Sequence, residues 1–306
     1  MQKSPSSGSL SRSQSEAEFV PCAKVLDSKD TEAVFSSHIF PALYITGAYL
    51  MILRAMTNSL TEDVEAEPDV NPVKNVWISG PIIATIIYAM VIFGGKYYMS
   101  TREAFSIRPY IFTYNLYQCI LNAWCVAAFI HEVYTNPHYT SMWGTSAQSG
   151  PLGFRISFLV WVHYINKYVE LLDTVFMIMR KKNNQVSFLH CYHHVLLIWS
   201  WYAVCVIESG GEAYFGATVN SAIHVIMYGY YTLALLNISC PWKKWITNLQ
   251  MLQFALCLCH SIYVYYTGSA PIQLPLLQAF VMVNMLVLFG NFYAKTYAKK
   301  KPMKKE

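Results

Sequence analysis

Residues 188–207 read FLHCYHHVLLIWSWYAVCVI. The stretch is apolar and has the length, about 20 residues, that a helix needs to cross a lipid bilayer. It nevertheless carries His190, His193 and His194 within its first two turns. Spacings of three and four residues put these imidazoles on one face of a helix. Because polar groups inside a bilayer are costly unless they are paired, the cluster predicts a functional site within a membrane-spanning helix.

The whole chain has the composition of a membrane protein. Of its 306 residues, 55% are hydrophobic and only 13% are charged, whereas soluble domains carry about 25% charged residues. Eight hydrophobic stretches are near the length of a bilayer-spanning helix. They are residues 38–56, 78–95, 110–130, 156–179, 188–207, 214–238, 246–266 and 273–294. The sequence therefore predicts an all-α polytopic membrane protein.

The two ends of the chain differ from this membrane region. Residues 1–35 are polar and rich in Ser, which is typical of a disordered tail, and residues 298–306 form a basic tail. Residues 36–77 hold an extra hydrophobic segment followed by an acidic loop. That segment contains Pro41 and Arg54, so it either spans the bilayer or lies at its interface. The remaining residues, 78–297, form the predicted membrane domain.

Basic residues alternate between the loops that separate the predicted spans. They concentrate around residues 96–108, 180–182 and 243–244 and in the tail, whereas the loops at 131–155, 208–213 and 267–272 have few. Because Lys and Arg bias short loops toward the cytoplasm, the C-terminus is predicted to be cytoplasmic. A nucleic-acid surface would instead need basic and aromatic residues on one solvated face, so no nucleic-acid partner is expected.

The stretch 156–179 carries four polar side chains at helical spacing, namely His163, Lys167, Glu170 and Asp173. They fall along one stripe. An ionised side chain at the centre of a bilayer costs about 2.5–3.5 kcal/mol on insertion scales, so this stripe must face a protein interior or an aqueous cavity. Pairing of Lys167 with Glu170 or Asp173 would lower that cost. A structural ion-pair stripe between two helices is the alternative interpretation.

The two spans after the histidine cluster also carry polar stripes. Their members are His224, Met227, Tyr228 and Tyr231 on one span, and Thr247, Gln250 and Gln253 on the next. Each set has helical spacing and shares a face. Four consecutive spans thus each present polar groups on one side, which favours a common chamber between them.

Two chemistries suit such a chamber. His190-x-x-His193-His194 resembles one histidine box of the membrane di-iron desaturases and hydroxylases, but the other six histidines are isolated, so no metal site is predicted. In the second chemistry, a neutral imidazole attacks an activated acyl group while another imidazole manages the proton. Exclusion of water would protect the acyl-imidazole. Cys191, with His194 as its base, is a rival nucleophile.

A transporter, with polar stripes along a substrate path, is a competing class. Transporters commonly use pairs of short spans broken by Gly or Pro. Residues 188–207 contain neither residue type, and residues 214–238 contain only Gly216 and Gly229. This continuity favours an enzyme.

Four ordered motifs resemble the ELO family of very-long-chain fatty-acid elongases. They are Lys167-x-x-Glu170-x-x-Asp173-Thr174, His190-x-x-His193-His194, His224-x-x-Met227-Tyr228-x-Tyr230-Tyr231 and Thr247-x-x-Gln250-x-x-Gln253, with Asn291-Phe292-Tyr293 near the end. The resemblance implies an endoplasmic-reticulum enzyme that condenses a long acyl-CoA with malonyl-CoA, releasing CO₂ and CoA and forming 3-ketoacyl-CoA. No cofactor is expected. The implied partners are the bilayer and the reductases and dehydratase of the elongation cycle, and a homodimer is compatible with it.

The resemblance also implies a fold and a set of roles. Seven core transmembrane helices begin at residue 78, six of them enclose an acyl tunnel, and 38–56 is an addition. His193 is the implied acyl-accepting nucleophile, with His190 and His194 assisting proton transfer and His224 across the chamber. The remaining implied catalytic residues are Lys167, Glu170 and Asp173.

Substrate contacts are expected from two further groups of residues. The acyl substrate is expected to contact Tyr228, Tyr231, Gln250, Gln253, Gln185 and Asn291. The CoA phosphates are expected to pair with Arg180, Lys181, Lys182, Lys243 and Lys244, whose alternative role is to set topology alone. Gln185 together with Tyr192 is similar to family members that accept polyunsaturated chains, so a polyunsaturated acyl-CoA is the predicted donor.

Overall fold

A computed structural model describes residues 76–297 as a helical bundle. Eight α-helices occupy this part of the chain: α1 Ser79–Ser100, α2 Arg108–Thr135, α3 Gly150–Val169, α4 Leu172–Met179, α5 Phe188–Ile207, α6 Ala213–Leu235, α7 Lys243–Thr267 and α8 Gln273–Tyr297. The predictions for the Ser-rich tail, the 38–56 segment, the acidic loop and the basic tail concern residues 1–75 and 298–306. Those predictions lie outside the described residues.

Every stretch predicted to span from residue 78 onward is helical, although one of them is divided. Residues 156–179 form α3 and α4, separated by a turn at Glu170 and Leu171 in which the Asp173 amide donates to the Glu170 carbonyl at 3.1 Å. By length and composition, three helices of the described part are able to cross a membrane: Ser79–Ser100, Arg108–Thr135 and Gln273–Thr296. The helices between them carry the polar stripes, so their crossing of the bilayer stays a prediction.

The start of α5 is set by its capping residue. Ser187 has an extended backbone (φ −83°, ψ 165°), and its hydroxyl oxygen accepts a hydrogen bond from the His190 amide at 3.3 Å. Ser is among the residues that satisfy the free amides at a helix N-terminus. The cap fixes the point at which the helix begins. It thereby places His190 in the first turn and His193 and His194 one turn further along.

Apolar side chains fill the interior of the bundle and also cover much of its outside. The largest core, around Phe129, Val160 and Ala217, joins α2, α3 and α6 with side chains that are fully buried. On α1, in contrast, Met90 and Phe93 are 58% and 76% exposed. A helix that is apolar on its outward face suits a lipid environment rather than water.

The loops at the end of the bundle remote from His190 are clamped together by one carboxylate. Glu212 Oε1 accepts hydrogen bonds from the amides of Gly144 and Thr145, each at 2.5 Å, while the Tyr139 hydroxyl donates to the Gly211 carbonyl at 3.2 Å. The backbone of residues 208–212 therefore lies directly against residues 136–149. Gly211 permits this approach because its φ is +53° and a Cβ there would lie 2.6 Å from the Ala147 nitrogen.

We expect Gly211→Ala to destabilise the protein. The new Cβ collides with the Ala147 backbone and the residue must also hold a positive φ, which together cost about 1–3 kcal/mol. Gly150→Ala is the matched control, because Gly150 has φ +81° but open space around its Cβ position. Thermal unfolding of the detergent-solubilised proteins measures both changes. Equal melting temperatures for the two variants would contradict the steric part of this explanation.

Candidate active site

A buried ion pair lies at the junction of α3 and α4. Lys167 Nζ donates to Glu170 Oε1 at 2.8 Å and to Asn220 Oδ1 at 2.9 Å, and both members of the pair are 1% exposed. Breaking such a pair by removing one partner leaves an uncompensated charge in a medium of low dielectric constant. The polar stripe predicted on residues 156–179 therefore faces the protein interior. Through Asn220, its polar contacts reach α6.

Amide side chains surround this ion pair. Asn166 Nδ2 donates to Glu170 Oε1 at 3.2 Å and to Gln118 Oε1 at 2.9 Å. On α2, Asn122 Nδ2 donates to Gln118 Oε1 at 3.3 Å. Hydrogen bonds from neutral amides satisfy charged or polar oxygens without adding charge. The network thus continues from α3 into α2.

His224 brings an imidazole from α6 to the same carboxylate. Its Nδ1 lies 3.1 Å from Glu170 Oε1, but the contact is not aligned as a hydrogen bond, and Glu170 Oε2 has no hydrogen-bond partner among the described residues. Glu170 is therefore the carboxylate nearest to this histidine. Of the two carboxylates in the predicted stripe, Glu170 and Asp173, Glu170 is the one in contact with His224.

Asp173 belongs to a separate cluster of hydroxyl groups. The Tyr228 hydroxyl donates to Asp173 Oδ2 at 2.8 Å, and the Tyr114 hydroxyl lies 3.4 Å from that of Tyr228. Tyr228 is fully buried, and Tyr231 packs edge-on against it. The Asp173 carboxylate thus joins α4 to α6, and Tyr114 extends the contact to α2.

The three clustered histidines lie on one side of α5, as their spacing predicts. The rings of His190 and His194 are 4.5 Å apart between centroids, and those of His193 and His194 are 5.3 Å apart. His190 Nε2 lies 2.7 Å from the Thr174 hydroxyl. No protein group within residues 76–297 makes a hydrogen bond to either ring nitrogen of His193.

His193 instead lines an elongated cavity. The cavity encloses about 900 Å³ of empty space, counted with its open mouth. Its walls are mainly apolar residues of α5, α6, α7 and α8, among them Leu197, Phe254 and Met285. On α5 the lining extends from His193 to Val204, which corresponds to about 16 Å along the helix axis.

The cavity ends near the clamped loops. Its lining there includes Glu208, Glu212, His260 and Gln278. His260 Nε2 lies 2.8 Å from Glu212 Oε2, and Gln278 Nε2 lies 3.3 Å from His260 Nδ1. Burial, together with the nearby Glu212 carboxylate, raises the pKa of Glu208 above its usual range. The far end of the cavity is therefore polar, whereas its middle is apolar.

Of the expected substrate residues, Tyr228 and Tyr231 belong to the Asp173 cluster and do not line the cavity. Gln253 lines the cavity, and Gln250 lies near it on α7, where its amide contacts Met227 Sδ at 3.8 Å. Gln185 and Asn291 are exposed and do not line the cavity. Tyr192 donates to Asn284 Oδ1 at 3.3 Å, which joins α5 to α8.

The expected phosphate-binding residues lie at the same end of the bundle as His190. Arg180, Lys181 and Lys182 follow α4 directly, and Lys181 Nζ donates to the Arg102 carbonyl at 2.7 Å. Lys243 begins α7, with its ammonium 5.9 Å from the centre of the Tyr230 ring. The Lys244 side chain lies outside the described part of the structure.

Several polar residues of the network were missed in the sequence. Asn220 and Asn166 each lie four residues before a predicted site residue, so helical spacing was a usable signal. Gln118 and Asn122 have the same spacing inside the predicted span 110–130. Thr174, which contacts His190, stands within a quoted motif. Tyr88 on α1, whose hydroxyl lies 2.7 Å from that of Thr174, had no such signal. Within residues 76–297 there is no group of three or more His, Cys, Asp or Glu side chains arranged to hold a metal ion.

Comparison with known proteins identifies the family. A sequence profile of the ELO family, described as the GNS1/SUR4 family, matches residues 71–305. The chain belongs to the GNS1/SUR4 family. It is 36% identical over 228 residues to very long chain fatty acid elongase 2 of Mus musculus, which covers 73% of this chain and 77% of the relative. It is 35% identical to very long chain fatty acid elongase 5 of Bos taurus, over 72% and 74% of the two chains.

A human relative has a similar sequence identity to this GNS1/SUR4 family member. Very long chain fatty acid elongase 5 of Homo sapiens is 35% identical over 222 residues, covering 71% of this chain and 74% of the relative. The profile match begins at residue 71, slightly before the predicted boundary at residue 78. Membership of this family and the apolar helices identify a multi-pass membrane protein of the fatty-acid elongase family. Among the hypotheses drawn from the sequence, the family favours the elongase over a di-iron enzyme or a transporter.

We expect Lys167→Met to lower the free energy of unfolding by about 3–5 kcal/mol, because Glu170 would be left buried without its cation. The double variant Lys167→Met with Glu170→Gln removes both charges and is expected to recover most of that loss. Chemical unfolding in detergent measures the difference.

The matched control for this prediction is the more exposed pair Arg155 and Glu132, separated by 4.0 Å. Arg155→Met is expected to change stability by less than about 1 kcal/mol. A double variant at residues 167 and 170 that is as unstable as Lys167→Met would show that the ion pair is not the cause.

Proposed function

We propose that this protein is an acyltransferase that elongates fatty acids by condensing a long-chain acyl-CoA with malonyl-CoA. The products are 3-ketoacyl-CoA, CO₂ and CoA. Support comes from membership of the elongase family and from relatives that are named very long chain fatty acid elongases. The observation that carries the proposal is the position of His193, an imidazole with no hydrogen bond from the described residues, in the wall of a long apolar cavity.

The first half-reaction transfers the acyl group to His193. A ring nitrogen attacks the thioester carbonyl, a C–N bond forms, and the C–S bond breaks to release CoA as a thiolate. The proton lost from the imidazole neutralises that thiolate. The apolar walls around Leu197 and Phe254 would hold the alkyl chain and exclude water, which protects the acyl-imidazole from hydrolysis.

The second half-reaction forms the new carbon–carbon bond. Malonyl-CoA loses CO₂ as the bond to its carboxylate breaks, and the electron pair becomes an enolate on the remaining two-carbon unit. The enolate carbon attacks the acyl-imidazole carbonyl, and the C–N bond to His193 breaks. The product is 3-ketoacyl-CoA, two carbons longer than the donor. The departing imidazolate takes up one proton from water through the neighbouring histidines, which restores the neutral imidazole.

The neighbouring polar groups have supporting roles in this proposal. His194 lies beside His193, and His190 lies beside His194; both assist proton transfer. His224 is held close to Glu170, which Lys167 also contacts, and polarises the reacting carbonyl or the enolate. Asp173 orients Tyr228 at the edge of this group. No cofactor takes part.

We further propose that the protein lies in the endoplasmic reticulum membrane and that its site opens on the cytoplasmic side. The basic residues after α4 and at the start of α7 lie at the histidine end of the bundle, where they would pair with the CoA phosphates. The C-terminus is on the same side. The reductases and the dehydratase of the cycle would then receive the 3-ketoacyl-CoA there, and the enzyme would work as a monomer or a homodimer.

A polyunsaturated acyl-CoA is the proposed donor. This choice rests on Gln185 and Tyr192. Tyr192 joins α5 to α8 within the histidine motif, and Phe188 stacks on its ring. A donor that enters between α5 and α8 would pass close to this tyrosine. Gln185 lies in the exposed loop before α5.

Microsomes that express the protein test this proposal when they receive labelled malonyl-CoA and donors of equal length but different unsaturation. We expect label in acyl chains two carbons longer than the donor, with the polyunsaturated donor preferred. His193→Ala is expected to abolish both the product and an acyl adduct detected by mass spectrometry. Cys191→Ala, the matched control, retains both. Absence of labelled product with every donor would overturn the elongase proposal, and an adduct that survives in His193→Ala would overturn the nucleophile.

Gly216 offers a test of where the alkyl chain lies. It lines the cavity, and a Cβ there would meet no atom closer than 3.9 Å. A leucine would therefore project into the cavity, and Gly216→Leu is expected to remove the longest products while shorter donors are still elongated. Gly290→Leu, on α8 and outside the cavity, is the control. Unchanged product lengths in Gly216→Leu would show that the chain lies elsewhere.

A further inference from the structure

A chain of two hydroxyl groups connects α1 to His190. The Tyr88 hydroxyl lies 2.7 Å from Thr174 Oγ1, and the same oxygen lies 2.7 Å from His190 Nε2. Tyr88 is on α1, Thr174 on α4 and His190 on α5. The contact thus joins three helices at a histidine of the site, and neither hydroxyl residue has a role in the function proposed above.

Both hydroxyl groups are removed from solvent. Thr174 is fully buried and Tyr88 is 3% exposed. A buried hydroxyl that loses its partner cannot exchange it for water, so the arrangement is costly to break. His190 itself is partly exposed. The buried side of the histidine is therefore held by the protein, while its other side remains accessible.

The chemistry of the two hydroxyl groups and the imidazole indicates which group donates each hydrogen bond. Each hydroxyl has a single hydrogen to donate. A phenol is the more acidic of the two hydroxyl types, so Tyr88 is the better donor, and Thr174 Oγ1 accepts from it. Thr174 then donates its own hydrogen to His190 Nε2, which must accept. A neutral imidazole with an accepting Nε2 carries its proton on Nδ1.

We propose that Tyr88 and Thr174 are positioning residues that hold the His190 ring in one orientation and one tautomer, with the proton on Nδ1. This inference rests on the proposed function of His190 in proton transfer. A partner that fixes the tautomer of an active histidine is a recurrent device in enzymes, and its loss lowers activity without removing a reacting group. In this protein, the contact from Tyr88 through Thr174 to His190 would make α1 part of the active site.

Kinetics of three single variants and one double variant test the proposal. Thr174→Val keeps the shape of the side chain but removes the hydroxyl, and we expect kcat to fall about 10–100-fold while KM for both substrates changes by less than about twofold. Thr174→Ser restores the hydroxyl and is expected to recover most of the loss. Tyr88→Phe gives a smaller fall, and adding it to Thr174→Val lowers kcat little further, because the two groups act as one chain.

Thr85→Val is the matched control. Thr85 is also on α1, and its hydroxyl accepts a hydrogen bond from Trp199 Nε1 on α5 at 3.1 Å without touching a histidine. A purely structural role for such contacts between α1 and α5 predicts similar losses in Thr85→Val and Thr174→Val, with no rescue by serine. That result, or an unchanged kcat in Thr174→Val, would overturn the proposal.

A second measurement does not depend on elongase activity. Diethyl pyrocarbonate modifies accessible imidazole nitrogens, and peptide mass spectrometry gives the rate at His190 relative to the exposed His131. In Thr174→Val the ring can take the tautomer that carries its lone pair on the accessible Nδ1. This change is expected to raise that ratio roughly fivefold, the factor that corresponds to one hydrogen bond of ordinary strength, whereas Thr174→Ser and Thr85→Val leave it unchanged. Equal ratios in all four proteins would overturn the inference. A wild-type protein without elongase activity would instead overturn the proposed function.

Discussion

The buried carboxylate of Glu170 is the constraint on which the rest of the site depends. An ionised group with 1% exposure must be compensated from within the protein. Its Oε1 atom receives the Lys167 ammonium and the Asn166 amide, and His224 Nδ1 lies 3.1 Å away. These partners belong to α3 and α6, and Lys167 contacts α6 a second time through Asn220. Satisfying one charge therefore sets how these two helices face each other.

The polar network and the cavity have different roles: the network holds helices together, and the cavity shields the reactive group. In the network, Lys167, Asn166 and Gln118 are held by hydrogen bonds, which rigidifies the junction of α2, α3 and α6. His193 lies beside this network but has no hydrogen bond from the described residues, and it faces a cavity with mainly apolar walls. A reactive group needs a free lone pair and a shielded environment. Reactivity is therefore expected at His193, which lies between the network and the cavity.

Much of the site was accessible from helical spacing, and the missing parts have identifiable causes. Lys167 was predicted to pair with Glu170 or Asp173 because all three lie on one stripe of one segment, and its partner is Glu170. Which carboxylate contacts an imidazole was not predictable, because the turn at Glu170 and Leu171 sends Asp173 toward Tyr228 and leaves Glu170 beside His224. The contact of the Tyr88 hydroxyl could not be predicted for another reason. A single tyrosine in an apolar span has no periodic partner, so its contact with Thr174 depends on how α1 packs.

The sequence by itself determined the setting and the participants of this protein. Long apolar stretches predict helices in a bilayer, and imidazoles and charges at spacings of three and four predict the faces on which they lie, because helical geometry is local. Tertiary structure decided which of these faces meet. It placed Glu170 between Lys167 and His224, attached His190 to α1 through Thr174, and left His193 facing the cavity. These choices depend on packing between helices far apart in the chain, and a single sequence carries no local signal for them.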